Sequence, residues 1–399
     1  MSLTPNLTLP LPQPDGRVAR YTLSAREAWR APAEPAFNRI AYSAAHVVAD
    51  PLAPIDPWLQ CAIDWDRTIA CRQRLWRMGL GVAEAMDTAQ RGMGLDWPTS
   101  LKLIARSLDA ARDVPGARIA SGCGTDQLAP DAARSVDDVI RAYEEQMAAI
   151  EKLGGRLILM ASRALARVAR GPDDYLQVYG RLLRQAREPV ILHWLGDMFD
   201  PALAGYWGSA DVDRAMDTAL AVIEANPAQV DGIKISLLDK DREIAMRRRL
   251  PPGVRMYTGD DFNYAELIAG DGVGSAPTQR QSDALLGIFD AIAPAASAAL
   301  AALAVNDRRR FHAILAPTVP LSRHIFKAPT RFYKTGVVFM AWINGHQDHF
   351  TMVGGQQSTR SLPHLAELLR LADEAGLIEQ PELAARRMRH LLGLHGVDA

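Results

Sequence analysis

The stretch Val230-Asp231-Gly232-Ile233-Lys234-Ile235-Ser236 reads as a strand with one lysine set between two isoleucines. Successive side chains of a strand point to opposite faces. If Ile233 and Ile235 cover the side packed on helices, Lys234 faces the interior of the sheet. Burying an ammonium is costly unless it is paired, and its pKa falls. A desolvated amine is a nucleophile toward carbonyl carbon. A lysine paired with an interior acid such as Glu84 would instead be a structural ion pair.

Working outward, short apolar runs alternate with longer amphipathic segments, the pattern of βαβ units and a parallel sheet. The strands are expected at Asn38–His46, Gly81–Met86, Arg118–Ser121, Leu157–Ala161, Pro189–His193, Gly232–Ser236, Val254–Thr258 and Gly272–Ala276. The last is expected to feed a helix over Gln281–Leu303. Eight strands and eight helices are the count of a closed (β/α)8 TIM barrel. An open doubly wound sheet is the alternative, but no GxGxxG follows the first strand. The chain thus divides into a proline-rich extended arm (1–36), a barrel (37–305) and a C-terminal helical region (306–399).

The 399 residues are 48% hydrophobic and 23% charged with a net charge of −1, an ordinary globular balance that suggests no nucleic-acid partner. Cys61, Cys71 and Cys123 are irregularly spaced, which fits a reducing cytoplasm better than a disulfide framework. The longest apolar stretch, Ile288–Val305, is broken by Asp290 and Pro294, so no membrane span is expected. His346-Gln347-Asp348-His349 follows a helix-breaking Asn344-Gly345 and reads as a loop.

Three blocks carry a family resemblance: Gly232-Ile233-Lys234, then Val254-Arg255-Met256-Tyr257-Thr258-Gly259-Asp260-Asp261, then Ala269-Gly270-Asp271-Gly272-Val273-Gly274-Ser275. In this order and spacing the chain resembles the dihydrodipicolinate synthase/N-acetylneuraminate lyase family. There a GIK strand bears a Schiff-base lysine, a Y-S-G-D-D strand follows, and a G-A-D-G-x-x-S strand closes the barrel. More weakly, Gly122-Cys123-Gly124-Thr125-Asp126 sits where the family has G-T-G-S-N, and Pro189-Val190-Ile191-Leu192-His193-Trp194 where it has P-x-x-L-Y-N. The similarity spans about Asn38 to Ala304.

The resemblance implies a class I aldolase or lyase with Lys234 as the nucleophile. It also implies a proton-moving group at His193, in place of the family's tyrosine, and a hydroxyl at Thr88. The family's G-T-T-G-E loop is replaced by Asp87-Thr88-Ala89-Gln90-Arg91-Gly92, which puts a carboxylate where a keto acid's carboxylate would sit, with Arg91 to offset it. Asp87, Gln90, Arg91, Asp126, Arg163 and Asp260 are the expected substrate contacts. Their mixture of donors and acceptors suits a carbohydrate-derived ketone as well as a keto acid.

No cofactor or metal is expected in this reading. The partners are a small carbonyl substrate and further copies of the chain, as dimer or tetramer. Two alternatives stand beside it. One is a metal-dependent sugar isomerase or epimerase, with Mn2+ or Mg2+ held by His46, Glu84, Asp87, His193 and Asp260. The other is a barrel that binds a small molecule without turning it over.

Overall fold

The computed structural model describes residues 7–397; the first six residues of the arm and the last two of the helical region lie outside them. Ten strands are present among the described residues: β1 (Thr8–Pro12), β2 (Val18–Thr22), β3 (Ala41–Ala44), β4 (Gly81–Glu84), β5 (Ile119–Cys123), β6 (Leu157–Leu159), β7 (Val190–Leu195), β8 (Val230–Ser236), β9 (Arg255–Thr258) and β10 (Asp283–Leu286). Strands β3 to β10 form one closed parallel barrel, with β10 returning to pair with β3. This is the (β/α)8 barrel expected from the alternation of elements.

The closing strand lies elsewhere than expected. Gly272–Ala276 is not a strand, because Gly270, Gly272 and Gly274 all have positive φ (70°, 74° and 146°), which bends the backbone out of any ladder. β10 comes from Asp283-Ala284-Leu285-Leu286, inside the segment expected to be helical. These residues have little intrinsic strand preference. Their place is set by pairing with Tyr257 and Thr258 on one side and with Ala41, Tyr42 and Ser43 on the other.

The arm also differs from a simple extended segment. β1 and β2 pair antiparallel from Thr8↔Thr22 to Pro12↔Val18 around a turn at Gly16. The hairpin is tied to the C-terminal helix Leu362–Glu374: Tyr21 Oη and Ser24 Oγ donate to the Asp373 carboxylate at 2.8 and 2.9 Å, and Arg370 donates to the Pro12 carbonyl at 2.6 Å. The expected helical region holds the helices Arg308–Leu315, Thr318–Ile325, Tyr333–Ile343, Leu362–Glu374 and Pro381–Leu394.

The pleat divides the buried side chains into two sets. Tyr42, Ala44, Ala83, Ala120, Ile158, Ile191, Tyr257 and Leu285 pack inside the barrel. Val82, Leu159, Leu192, Trp194, Ile233 and Ile235 belong to the larger core between barrel and helices. Glu84 therefore follows Ala83 onto the outer face. There it meets Arg72 of the helix Trp65–Arg77 in a two-pronged ion pair, at 2.9 and 2.8 Å, with both side chains fully buried. Ser107 Oγ and the Ala85 amide complete its hydrogen bonds. Glu84 thus clamps a helix to the barrel and does not pair with Lys234.

Removing one partner of such a pair strands the other charge in the core, at about 3–5 kcal/mol. Arg72→Met is expected to lower the unfolding free energy by about that amount, read from urea denaturation. A loss below about 1 kcal/mol would mean that the pair does not hold the helix.

Candidate active site

Because Ile233 and Ile235 face the helices, Lys234 points into the barrel. It is in register with His193 of β7 on one side and Tyr257 of β9 on the other, with His193 likewise inward. Gly259 makes room for it: a Cβ there would lie 2.8 Å from the Lys234 Cε and 2.4 Å from the Ser236 hydroxyl. Among the described residues no hydrogen bond or ion pair holds the Lys234 amine, which is 8% exposed. Burial pushes its pKa below the usual lysine range, against the opposing pull of Asp261 and Asp87.

His193 has no hydrogen-bond partner at either ring nitrogen, although both are buried. Burial, then the neighbouring Lys234, pushes its pKa well below the ordinary 6.5. The imidazole is therefore neutral across the ordinary pH range. It can accept a proton or hydrogen bond, but it is not a resident imidazolium acid. An orphaned imidazole on a cavity wall is open to a partner from whatever the cavity holds, water or ligand.

That cavity, about 290 Å³, opens at the C-terminal ends of the strands and is lined by Asp87, Arg91, Asp126, Ser162, Arg163 and His193, among others. Such an end-on position is where barrels of this kind carry their chemistry. Four of the expected substrate contacts, Asp87, Arg91, Asp126 and Arg163, do lie on its wall. Their charges are largely spoken for. Arg91 is turned to Asp126 (2.6 Å), Gln146 (2.5 Å) and the Gly122 carbonyl (2.5 Å), so it does not offset Asp87. Arg163 pairs with Asp200 at 2.5 Å.

Two others are off the wall. Gln90 donates to the Val353 carbonyl at 2.7 Å, tying its loop to the C-terminal region. Asp260 accepts from the amides of Phe262 and Asn263 at 2.8 and 3.0 Å, organising the turn into the helix Tyr264–Ala269.

Thr88 is buried and its hydroxyl meets that of Tyr333 at 2.8 Å. Tyr333 begins the C-terminal helix Tyr333–Ile343, and its phenol pKa is raised first by burial and then by Asp87, with Asp261 adding to it. The two carboxylates that act on Lys234 therefore act on Tyr333 too. Tyr333 is the site residue that reading by strands passed over. It could have been flagged by Tyr333-Lys334, a polar pair opening an otherwise apolar helix, much as Lys234 stands out in β8.

The groups weighed as metal ligands do not converge. His46 is bonded to Asp290 at 2.6 Å, and Glu84 is on the outer face. Among the described residues no group of three His, Cys, Asp or Glu is placed to hold a metal ion. No helix among them is long and apolar enough to cross a membrane.

Fold and cavity together define a TIM barrel built like the dihydrodipicolinate synthases. The structure of dihydrodipicolinate synthase from Aquifex aeolicus superposes with a TM-score of 0.63 at 12% identity, covering 85% of this chain and 99% of that one. A prophage protein of the dihydrodipicolinic acid synthase family from E. coli K12, in complex with pyruvate, gives 0.64 at 13% identity over 86% and 100%. The Acinetobacter baumannii dihydrodipicolinate synthase complexed with pyruvate gives 0.61 at 15% identity over 85% and 99%. At these identities the likeness is one of fold. No curated protein matches the sequence. The chain belongs to the family described as "Protein of unknown function (DUF993)", whose model matches residues 9–397.

The electrostatics of the site carry a stability signature. Burial holds the Asp261 carboxyl up to about 7, from an ordinary 3.8. Its stabilising contribution is full below the ordinary value and is lost as the pH rises through about 7. Asp261→Asn is expected to flatten that fall in urea midpoints between about pH 4 and pH 7. Glu243, which burial pushes up to about 8 from 4.5, adds to the fall over the same range and is the group that continues it above pH 7. An unchanged slope in the variant would show that Asp261 is ionised throughout.

Proposed function

We propose that the protein is a Schiff-base lyase, acting as aldolase or hydro-lyase on a keto acid or carbohydrate-derived ketone. The observation that carries this reading is the buried, inward-facing, unpaired amine of Lys234 in register with an orphaned imidazole at His193. The fold shared with enzymes seen in complex with pyruvate supports it.

The neutral amine adds to the substrate carbonyl carbon, and the carbinolamine takes a proton from the Thr88–Tyr333 hydroxyl pair and loses water to give an iminium. The iminium then takes up the electron pair released when a neighbouring bond breaks, so no separate cofactor is needed. His193, neutral, accepts the proton released at this stage. The Thr88–Tyr333 hydroxyl pair, protonated at ordinary pH, passes a proton to or from the substrate at the other end of the step. Asp87 and Asp261 keep Lys234 from losing all affinity for a proton, which the reversible chemistry requires. The same reading includes a cytoplasmic homo-oligomer, which sedimentation of the purified protein would reveal.

Borohydride reduction with a panel of 2-keto acids and keto-sugars is expected to leave an adduct on Lys234, found by intact mass and peptide mapping and absent from Lys234→Ala. Folded protein that traps none of them would sink the proposal. With a trapped substrate in hand, Tyr333→Phe is expected to keep the adduct while turnover drops by about 100-fold or more. Turnover equal to the wild type's would remove Tyr333 from the mechanism.

A further inference from the structure

Lys334 follows Tyr333 and is the second buried lysine of this region, at 4% exposed. Its three donor hydrogens find poor company. Nζ donates to the Arg331 carbonyl at 3.0 Å, lies 3.3 Å from the Met93 thioether, and sits 4.7 Å from the centre of the Tyr333 ring. Among the described residues no carboxylate pairs with it. A thioether is a weak acceptor, and an ammonium so enclosed has lost its water without gaining a counter-charge. Burial accordingly pushes its pKa down to about 8.

Three of the four groups whose charges reach Lys334 belong to the cavity. Asp87 favours its charged form, as does Asp200, while Arg163 and Arg331 oppose it. Asp87, Arg163 and Asp200 all line the cavity wall. Met93, which covers the amine, belongs to the turn that also presents Arg91 and Gly92 to that wall. With Arg163 paired to Asp200 and Arg91 to Asp126, Lys334 is, beside Lys234, a second amine near the cavity that no carboxylate pairs with among the described residues. Its flexible cover is of the kind that a ligand displaces.

We propose that Lys334 binds an acidic group of the substrate, a carboxylate or phosphate remote from the carbonyl that Lys234 attacks. The site then reads its substrate at two points: an amine on the barrel wall takes the carbonyl, and an ammonium from the C-terminal helices takes the acid. The substrate class is a keto compound bearing a distal acidic group. The proposal rests on the cavity being the Schiff-base site.

The test uses matched probes on the full chain: 4-oxopentanoate against 2-pentanone for a carboxylate, and dihydroxyacetone phosphate against dihydroxyacetone for a phosphate. Half-saturating concentrations for borohydride trapping on Lys234 are compared. In the wild type the acidic member of at least one pair is expected to trap at a concentration lower by about tenfold or more. Whichever pair shows it names the acid. In Lys334→Met that ratio is expected to collapse toward one, whereas Lys334→Arg keeps part of it.

Equal half-saturation of both members in the wild type, or a preference that survives in Lys334→Met, overturns the proposal. Should Lys334→Met fail to fold, inorganic phosphate as competitor on the wild type decides. It is expected to weaken trapping of the acidic probe and not of the neutral one, and equal effects on both overturn the proposal. If nothing traps on Lys234, the Schiff-base reading fails by itself, and thermal shifts test Lys334 separately. An acidic probe that raises the melting temperature of the wild type more than that of Lys334→Arg or Lys334→Met, where its neutral partner does not, supports the acid site; no such difference rejects it.

Discussion

An amine inside a protein must either be paired or be kept ready to lose its proton, and Lys234 is built for the second. Its neighbours along the strand, Ile233 and Ile235, face the helices and exclude water from one side of β8. On the other side the barrel leaves it beside a histidine with no partner of its own. Two carboxylates, Asp261 and Asp87, act on it without forming an ion pair, so its pKa is lowered by burial but not abandoned to it. The small residue Gly259 preserves the space that the lysine chain occupies. Much else in the cavity is arranged so that charges cancel in pairs, Arg91 with Asp126 and Arg163 with Asp200. These pairings leave the lysine without a carboxylate partner among the described residues.

The C-terminal helices are part of this arrangement and not an accessory to it. They place Tyr333 against Thr88 and bring Lys334 against Met93, within reach of the charges of Asp87 and Arg163. The Gln90 side chain, bonded to the Val353 carbonyl, ties the loop after β4 to the same region. At the far side, the β1–β2 hairpin is bound to Asp373 and Arg370, so arm and helices hold one another. A barrel without these helices would keep Lys234 but lose the phenol and the second ammonium.

Seven of the eight barrel strands were legible because each couples an apolar run to a following amphipathic helix. The eighth was not. Asp283-Ala284-Leu285-Leu286 lacks β-branched residues, and the glycine-rich block before it matched a family pattern while its φ angles forbid a strand. Among site residues, the inward direction of Lys234 followed from alternation, and His193 was singled out by the family resemblance. Their lack of partners followed from neither, because an unsatisfied imidazole is a property of everything around it. Arg91 shows the opposite outcome: adjacency in sequence suggested Asp87 as its partner, whereas the folded chain offers Asp126 and Gln146 at better distance.

The sequence by itself determined that a lysine stands on the inner face of a parallel barrel strand, because pleating alternates side chains with a period of two whatever surrounds them. It also determined seven of the eight barrel strands, since an apolar run carries its own periodicity. Only the tertiary structure decided which strand closes the barrel, which acids act on the lysine, that Tyr333 meets Thr88 and that Lys334 lies against Met93. Those depend on contacts between segments far apart in the chain, where packing and ion pairing outweigh any local preference.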